Sequence, residues 1–228
     1  VHQRHRWLGG RSLRIEAVHW SAKTYLDPTP EGWLPGNHDL LNVQQPLKLL
    51  RDSILDAWIG AYPDVPDQDD PDFASFPLLR HPLSLVVGEN HPLLAVGSGL
   101  TFELVSQYPS LALPDGAFPQ LEDCLKRIGL WNSPSKISRY NRDRWEGRWH
   151  SELLVGYASI FSIKFYPQPQ YILPLQLPLI VGDNLVVKRD FENHPRLLKL
   201  LADLRQRLNP WLKAHPDLIG FGGEADRG

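Results

Sequence analysis

Short apolar stretches of strand length alternate with amphipathic stretches of helix length along most of this chain. Residues 13–18 alternate apolar and polar side chains, which is the period of a strand with one buried face. Residues 54–61 and 83–88 are strongly apolar, as is typical of strands buried on both faces of a parallel sheet. Stripes with the period of a helix occupy residues 45–52, 118–128 and 195–208. The alternation predicts an α/β fold of βαβ units with mainly parallel sheets.

The order of the segments further predicts two lobes with a cleft between them. We expect additional strands at residues 40–43 and 110–113, a proline-interrupted strand region at 173–181 and a short helix at 100–106. The chain is expected to cross between the lobes near Leu83 and Leu177. The predicted division is a linker tail at 1–10, a first lobe at 11–82 with 182–214, a second lobe at 83–181 and a flexible tail at 215–228.

Charge and cysteine content limit the classes of function. The formal net charge of the 228 residues is -2, whereas domains that grip nucleic acid usually carry a basic surplus. Cys124 is the single cysteine, so no internal disulfide is possible and a reducing compartment fits. No signal peptide and no stretch of the ~20 apolar residues that a membrane helix needs is visible. Because methionine is absent, we expect the chain to be a fragment or a processed form.

Several stretches resemble one known family. G-R-S-L-R-I at 10–15 resembles its opening G-x-L-R-I strand, and 47–59 resemble its L-x-x-L-L-x-G-x-L-D-L-A-I helix and strand. The most specific match is 76–87 followed by H-P-L at 91–93, which resembles L-x-x-x-P-L-x-L-V-V-P-x-x-H-P-L. L-P-D-G at 113–116 resembles the pocket loop of the second lobe. The family is the effector-binding, or substrate-binding, domain of LysR-type transcriptional regulators, and the resemblance covers about residues 10–208.

The resemblance implies a fold and a function. The fold is periplasmic-binding-protein-like, type 2: two Rossmann-like lobes joined by two crossover strands. The function is to sense a small-molecule effector in the cleft, without catalysis, in the cytoplasm, as a homodimer or homotetramer formed through the helices at 45–52 and 118–128. DNA would be bound through a winged helix-turn-helix that lies upstream and outside this chain.

The residues expected to contact the effector lie at three strand ends. They are His19, Trp20 and Ser21, then Gly60, Ala61 and Tyr62, and finally Asp115, Gly116, Ala117 and Phe118. Backbone N–H groups at a helix start attract anions and carbonyl oxygens, and a hydroxyl such as that of Ser21 can fix a ligand's orientation. Ser21 and Asp115 have the alternative role of capping a helix.

Two aromatic residues are candidates for the second wall of the cleft. Trp145 and Tyr157 are the right size to bury a ligand ring, and packing in a core or a dimer face is the alternative role of such residues. The sequence also departs from the family here. His19, Trp20 and Ser21 stand where a Ser/Thr pair is common, and Tyr157, Ala158 and Ser159 replace a glycine-rich turn. The identity of the effector is therefore left open.

Competing functions have weaker support. We find no Gly-x-Ser-x-Gly elbow, phosphate loop or dinucleotide fingerprint, and no His-x-x-x-His pair or histidine–carboxylate cluster, so we expect no enzyme, cofactor or metal. Cys124 is expected to be a buried, inert thiol, with redox sensing as its alternative. An extracytoplasmic solute-binding protein of a transporter has the same two-lobed architecture and is the alternative reading of the whole chain. No membrane partner is expected.

Overall fold

The computed structural model shows a mixed α/β protein with two sheets. The structure describes residues 11–17, 22–36, 44–111, 116–131, 148, 152–158, 163 and 169–221. The strand predicted at residues 40–43 lies outside these ranges. The described strands are β1 (Leu13–Ala17), β2 (Trp33–Pro35), β3 (Ala57–Tyr62), β4 (Phe73–Pro82), β5 (Ser84–Val87), β6 (Gly156–Ala158), β7 (Tyr171–Ile172), β8 (Ile180–Lys188) and β9 (Ile219–Gly220). The described helices are α1 (Lys23–Leu26), α2 (Gln44–Arg51), α3 (Phe102–Val105), α4 (Pro119–Arg127) and α5 (Pro195–Ala214), with 3-10 turns at Pro92–Ala95, Gly97–Gly99 and Arg189–Phe191.

The first sheet has the strand order β2-β1-β3-β8-β4-β9. Strand β1 pairs in parallel with both β2 and β3, and Ile15 lies opposite Ala57. Strand β8 then pairs antiparallel with β3 and with β4, and β9 pairs antiparallel with β4. The sheet is therefore parallel over β1 to β3, as the sequence predicts, and antiparallel where β8 returns from the second sheet.

The chain passes to the second sheet after β4 and returns to the first sheet in β8. Its described order is β6-β5-β7, with both pairings antiparallel, and Ser110 forms a parallel bridge with Val155. Strand β4 ends at Pro82 in the first sheet and β5 begins at Ser84 in the second. Strand β7, in the second sheet, directly precedes β8 in the first among the described strands. Both passages between the sheets lie near the two predicted crossings.

Helix α5 covers one face of the first sheet because its apolar side chains recur at helical spacing. The buried stripe consists of Leu197, Leu200, Leu201, Leu204 and Leu208. It packs on inward-facing residues of β1, β3 and β8, including Ile15, Ile59 and Leu185. The helix continues beyond the predicted end at Leu208 to Ala214, since Trp211 and Leu212 still pack against this core. None of the described helices is both long and apolar enough to cross a membrane.

Three further cores complete the packing among the described residues, and one of them consists of Val86, Leu111, Leu154 and Ala158. On the other face of the first sheet, Leu47 and Leu50 of α2 pack with Trp58, Phe73 and Val186. A separate core lies against the second sheet. It contains Leu83, Leu85, Val87, Leu93, Leu100, Val105, Leu125, Leu130, Val155, Leu173, Leu177 and Val181. Each sheet therefore has apolar packing of its own, as expected for a chain with two layered units.

Several strands depart from the sequence-based expectations: β2 and β4 were not predicted, and β8 and β9 differ from the prediction. The sequence predicts a strand region at 173–181, whereas the long strand β8 spans Ile180–Lys188. Its Gly182, Asp183 and Asn184 are turn-favouring residues, and they enter the strand because pairing with β3 and β4 satisfies their backbone groups. Strand β9 lies within the predicted flexible tail, yet Ile219 and Gly220 pair with Arg80 and Leu79.

We predict that Gly182→Ala destabilises the fold by about 2 to 3 kcal/mol, because overpacking against backbone cannot relax cheaply. A Cβ atom at this position would lie 2.0 Å from the carbonyl oxygen of Leu79. Urea denaturation followed by circular dichroism measures the change. Gly99→Ala is the matched control, since its Cβ atom would lie 3.6 Å from the nearest atom, Val96 Cγ1. Equal stability of the two variants would contradict the close approach of β8 and β4.

Candidate functional site

The candidate effector site divides between described and undescribed residues. Gly60, Ala61 and Tyr62 are described, as are Gly116, Ala117, Phe118 and Tyr157. The other candidates lie outside the described residues: His19, Trp20, Ser21, Asp115 and Trp145. The described candidates form three groups: the carboxyl end of β3, the segment that leads into α4, and strand β6.

Gly60 is explained by packing. A Cβ atom there would lie 2.7 Å from the six-membered ring of Trp58 and 2.7 Å from Cγ1 of Val65. The glycine therefore makes room for the Trp58 ring, which is fully buried. Beyond it, Ala61 is partly buried and lies opposite Asp183, while Tyr62 is exposed. Ala61 and Tyr62 are thus the members of this group with side chains that solvent reaches.

Asp183 brings a buried carboxylate to this end of the sheet. Its side chain accepts a hydrogen bond of 2.5 Å from the hydroxyl of Tyr25 in α1. Both residues are buried, at 3% and 1% exposure. Burial raises the pKa of the Tyr25 hydroxyl well above its ordinary value, and the charge and hydrogen bond of Asp183 add to the effect. The sequence analysis missed this pair. An acidic residue inside an otherwise apolar strand was the available signal.

Arg80 lies beside the same strand end. Its guanidinium carbon is 3.8 Å from the centroid of the Tyr62 ring and 5.4 Å from that of Phe221, within the range of cation–π attraction. Nη1 donates to the carbonyl oxygen of Leu79 at 2.8 Å. Burial lowers the pKa of Arg80, although Tyr62 and Asp183 act in the opposite direction. The cation therefore holds Tyr62 and the chain after β9 against the end of β4.

Asp64 joins two of the predicted groups. It lies two residues after Tyr62, and its carboxylate accepts hydrogen bonds from the backbone N–H groups of Gln120, at 2.7 Å, and Leu121, at 3.1 Å. These amides belong to the first turn of α4, directly after Phe118. Burial raises the pKa of Asp64, the two amide hydrogen bonds lower it, and nearby Asp123 raises it. The structure thus brings the end of β3 and the start of α4 together.

The anion-binding end of α4 consequently already holds a carboxylate. Gly116 is exposed with φ +79, Ala117 is buried and Phe118 is partly buried, so this segment forms a turn before the helix. Phe118 makes no side-chain capping hydrogen bond, and Asp64 supplies the cap from a distant part of the chain. The sequence analysis missed Asp64 because a cap from 56 residues away leaves no local pattern.

Tyr157 lies in β6, at one edge of the described part of the second sheet, and anchors that strand. Its hydroxyl donates to the carbonyl oxygen of Leu130 at 2.7 Å, and the hydroxyl of Ser110 donates to the same oxygen at 2.9 Å. The Tyr157 ring stacks on Trp131, with centroids 6.4 Å apart. Burial raises the pKa of Tyr157 to about 12, despite the opposing hydrogen bond with Ser110. Its polar end is therefore used to join β6 to the chain that follows α4.

Cys124 and the histidines were considered for redox and metal-binding roles. Cys124 is partly buried on α4, and Nη2 of Arg127 lies 2.9 Å from its sulfur. Within the described residues, no group of three or more histidine, cysteine, aspartate and glutamate side chains is arranged to hold a metal ion. His91 is buried, and its Nδ1 accepts from the N–H of Leu93 at 3.2 Å, which starts the 3-10 turn at Pro92–Ala95.

Comparison with protein families gives one match. Residues 39–131 match the model of the LysR substrate binding domain. This stretch includes the end of β3, Asp64, Arg80 and α4, and therefore most of the contacts described above. No curated protein is similar enough in sequence to match the chain.

Solved structures show the same fold. A cysteine variant of full-length OxyR from Pseudomonas aeruginosa aligns with a TM-score of 0.64 and 18% identity, over 90% of this chain and 70% of that one. The regulatory domain of a MetR variant from N. meningitidis, a LysR family regulator, aligns with a TM-score of 0.63 and 15% identity, over 92% and 99%. The effector binding domain of a BenM variant aligns with a TM-score of 0.63 and 15% identity, over 92% of this chain and 99% of that one. The predicted fold, periplasmic-binding-protein-like of type 2, is confirmed.

We predict that the stability of the protein falls between pH 10 and 12 partly through Tyr157. The unfolded hydroxyl ionises near its ordinary pKa of 10.0, whereas the folded pKa is about 12, so rising pH favours the unfolded chain. The contribution lost is on the order of 2 kcal/mol. Urea titrations of the wild type and Tyr157→Phe measure it. The variant should be about 1 kcal/mol less stable at pH 7, since it loses a hydrogen bond.

The gap between the wild type and this variant should close at about pH 11 and reverse by about pH 12, because the wild type loses about 2 kcal/mol while the gap at pH 7 is only about 1 kcal/mol. Tyr171→Phe is the control, because it removes a hydroxyl from a side chain that is 37% exposed, and it should follow the wild-type curve. A gap that stays constant with pH would contradict the raised pKa of Tyr157.

Proposed function

We propose that this chain carries the substrate-binding domain of a LysR-type transcriptional regulator and that a small-molecule effector binds between its two sheets. The observation that carries the proposal is the family match over residues 39–131, within a fold shared along most of the chain with LysR effector-binding domains. This match favours a regulator over a solute-binding protein of a transporter. The matched family is regulatory, and we propose that the chain performs no catalysis.

The described contacts support a site at the meeting point of the two sheets. Ala61 and Tyr62 end β3 in the first sheet, while Gly116 to Phe118 lead into α4, which packs in the core of the second. In open α/β sheets, ligands bind at the carboxyl ends of the strands. We place the effector there, beside Ala61, with Tyr62 and Phe118 as aromatic walls. Of the sequence-predicted contacts, Gly60 and Tyr157 are given structural roles instead.

We propose that the two sheets are the lobes of the sensor. The lobes are residues 11–82 with 182–214 and residues 83–181, and the passages from β4 to β5 and from β7 to β8 connect them. An effector shifts the population between two lobe arrangements only if it binds them unequally. The change would be passed to a winged helix-turn-helix domain upstream of this chain, which contacts DNA in the cytoplasm.

A thermal-shift screen tests effector binding. The panel comprises central metabolites, amino acids and aromatic acids, and we expect one chemical class to give a saturable rise in melting temperature. A ligand that binds only the native state contributes about 2.7 kcal/mol at a hundredfold excess over Kd. Ala61→Leu should abolish the shift by filling the proposed site. Ala202→Leu, on an exposed position of α5, should leave it unchanged.

Either of two results would contradict this assignment. The absence of a shift in melting temperature across the panel would indicate that the domain serves mainly in assembly and not in effector binding. A shift that survives in Ala61→Leu would place the effector away from the end of β3.

We further propose that the chain forms a homodimer or homotetramer through α2 and α4. The outward side chains of these helices are charged and exposed, including Lys48 and Arg51 on α2 and Asp123 on α4. A contact between such faces is polar, so we expect it to weaken as salt increases. Gel filtration with light scattering should show dimers or tetramers at low salt and a smaller species for Lys48→Glu. Lys213→Glu, exposed on α5, is the control.

Monomers alone at high concentration and low salt would contradict assembly. The same dissociation in Lys48→Glu and Lys213→Glu would contradict the choice of α2 as an interface.

A further inference from the structure

A single aspartate links the two sheets at a point away from the connecting strands. Asp64 follows β3 of the first sheet and is only 2% exposed. The N–H groups that it accepts from, those of Gln120 and Leu121, belong to α4. Helix α4 packs with the second sheet, since its Leu125 lies in one core with Leu85 and Val87. The hydrogen bonds therefore cross from one unit to the other.

The loop that carries Asp64 is anchored to the first sheet. Arg189, at the end of β8, donates from Nη2 to the carbonyl oxygens of Asp70 at 2.6 Å and Gln68 at 2.9 Å. Asp70 in turn accepts from the N–H groups of Asp72 at 2.8 Å and Phe73 at 2.9 Å, where β4 begins. Val65, next to Asp64, packs with the α2-side core. These contacts connect the loop that carries Asp64 to β3, β4 and β8.

The first turn of α4 has amide N–H groups for which the helix itself supplies no acceptor. The first helical residue is Pro119, which has no N–H, so Gln120 and Leu121 present the first amides without a carbonyl partner one turn earlier. The N-cap residue, Phe118, has no side-chain acceptor. One carboxylate oxygen of Asp64 serves each amide. Removal of this carboxylate would leave both donors without their cap.

We propose that Asp64 is a built-in anion that latches the two units together by capping the amino end of α4. With the latch in place, this end of the helix is filled from within the chain, and loss of the carboxylate releases the contact between the sheets. The latch exists without any effector, so its test is independent of the proposed sensing function.

The first test measures the latch in the whole chain. Amide hydrogen exchange in the first turn of α4 should be at least about fivefold faster in Asp64→Ala than in the wild type, which corresponds to loss of a helix cap. Asp64→Asn keeps the size and one acceptor, and should show a smaller increase. Asp56→Ala is the control, since Asp56 also accepts from a backbone amide, that of Arg14 at 2.9 Å, but within the first sheet. The control should leave exchange in α4 unchanged.

The second measurement is the distance between the units. Spin labels at Lys126→Cys on α4 and Lys199→Cys on α5, in a Cys124→Ser background, occupy positions that are 50% and 63% exposed. We expect pulsed electron resonance to give a narrow distance distribution with Asp64 present. The distribution should be broader or longer in Asp64→Ala, and unchanged in Asp56→Ala. Unaltered exchange and distance in folded Asp64→Ala would overturn the latch.

Formate distinguishes a carboxylate site from a merely structural contact. In Asp64→Ala, millimolar formate should restore slow exchange of the α4 amides, while chloride at equal ionic strength should not. The wild type should respond to neither ion, because its own carboxylate occupies the position. If formate and chloride act alike in Asp64→Ala, the proposal that this helix end is a carboxylate site is overturned.

Discussion

The antiparallel insertion of β8 between β3 and β4 is the constraint on which the rest of the structure depends. It pairs Trp58 with Val186 and Phe73 with Lys188, so residues more than a hundred positions apart become neighbours. The chain leaves the first sheet after β4 and returns to it in β8, with the described strands of the second sheet between the two in sequence. Both passages between the sheets follow from this return, and α5 packs on Leu185 and Val187 of β8.

Strand β8 also explains why polar residues occur in the middle of the sheet. A buried polar group is costly unless it is hydrogen-bonded, and Asp183 and Asn184 are both almost fully buried. Asp183 is bonded by Tyr25, and the amide nitrogen of Asn184 donates to Ser75 at 2.7 Å. Gly182, at the start of the same strand, allows β8 to approach the Leu79 carbonyl. The strand thus combines close packing with hydrogen-bonded polar residues, of which Asp183 lies opposite Ala61.

The proposed sensor needs contacts between its two units that form and break at modest cost. Asp64 suits such a contact, since burial disfavours its charge while two amides favour it, and the balance raises its pKa. Arg80 and Tyr62 lie on the same side of the molecule as the end of β3 and hold the chain after β9 by an aromatic contact. The end of β3 is therefore bordered by two specific interactions: the hydrogen bonds of Asp64 with α4 and the contact of Arg80 with the Tyr62 ring.

The sequence by itself determined the class of fold and the positions of its regular helices. The leucine stripe of α5 and the apolar face of α4 have the period of a helix. Residues 54–61 overlap β3 in all but its last residue, and residues 83–88 contain β5, because these patterns are local. It also predicted effector contacts at the end of β3 and before α4, and these stay predictions; the structure adds that Gly60 makes room for the Trp58 ring.

Only the tertiary structure decided which distant polar groups meet. Asp64 and the amides of α4, Tyr25 and Asp183, and Arg80 with Tyr62 are pairs from separate segments, and no local spacing encodes them. The tertiary structure also placed Gly182 to Asn184 in a strand, against their preference for turns, because two neighbouring strands bond their backbone. Local periodicity reports burial along one element, whereas these contacts depend on how separate elements are brought together.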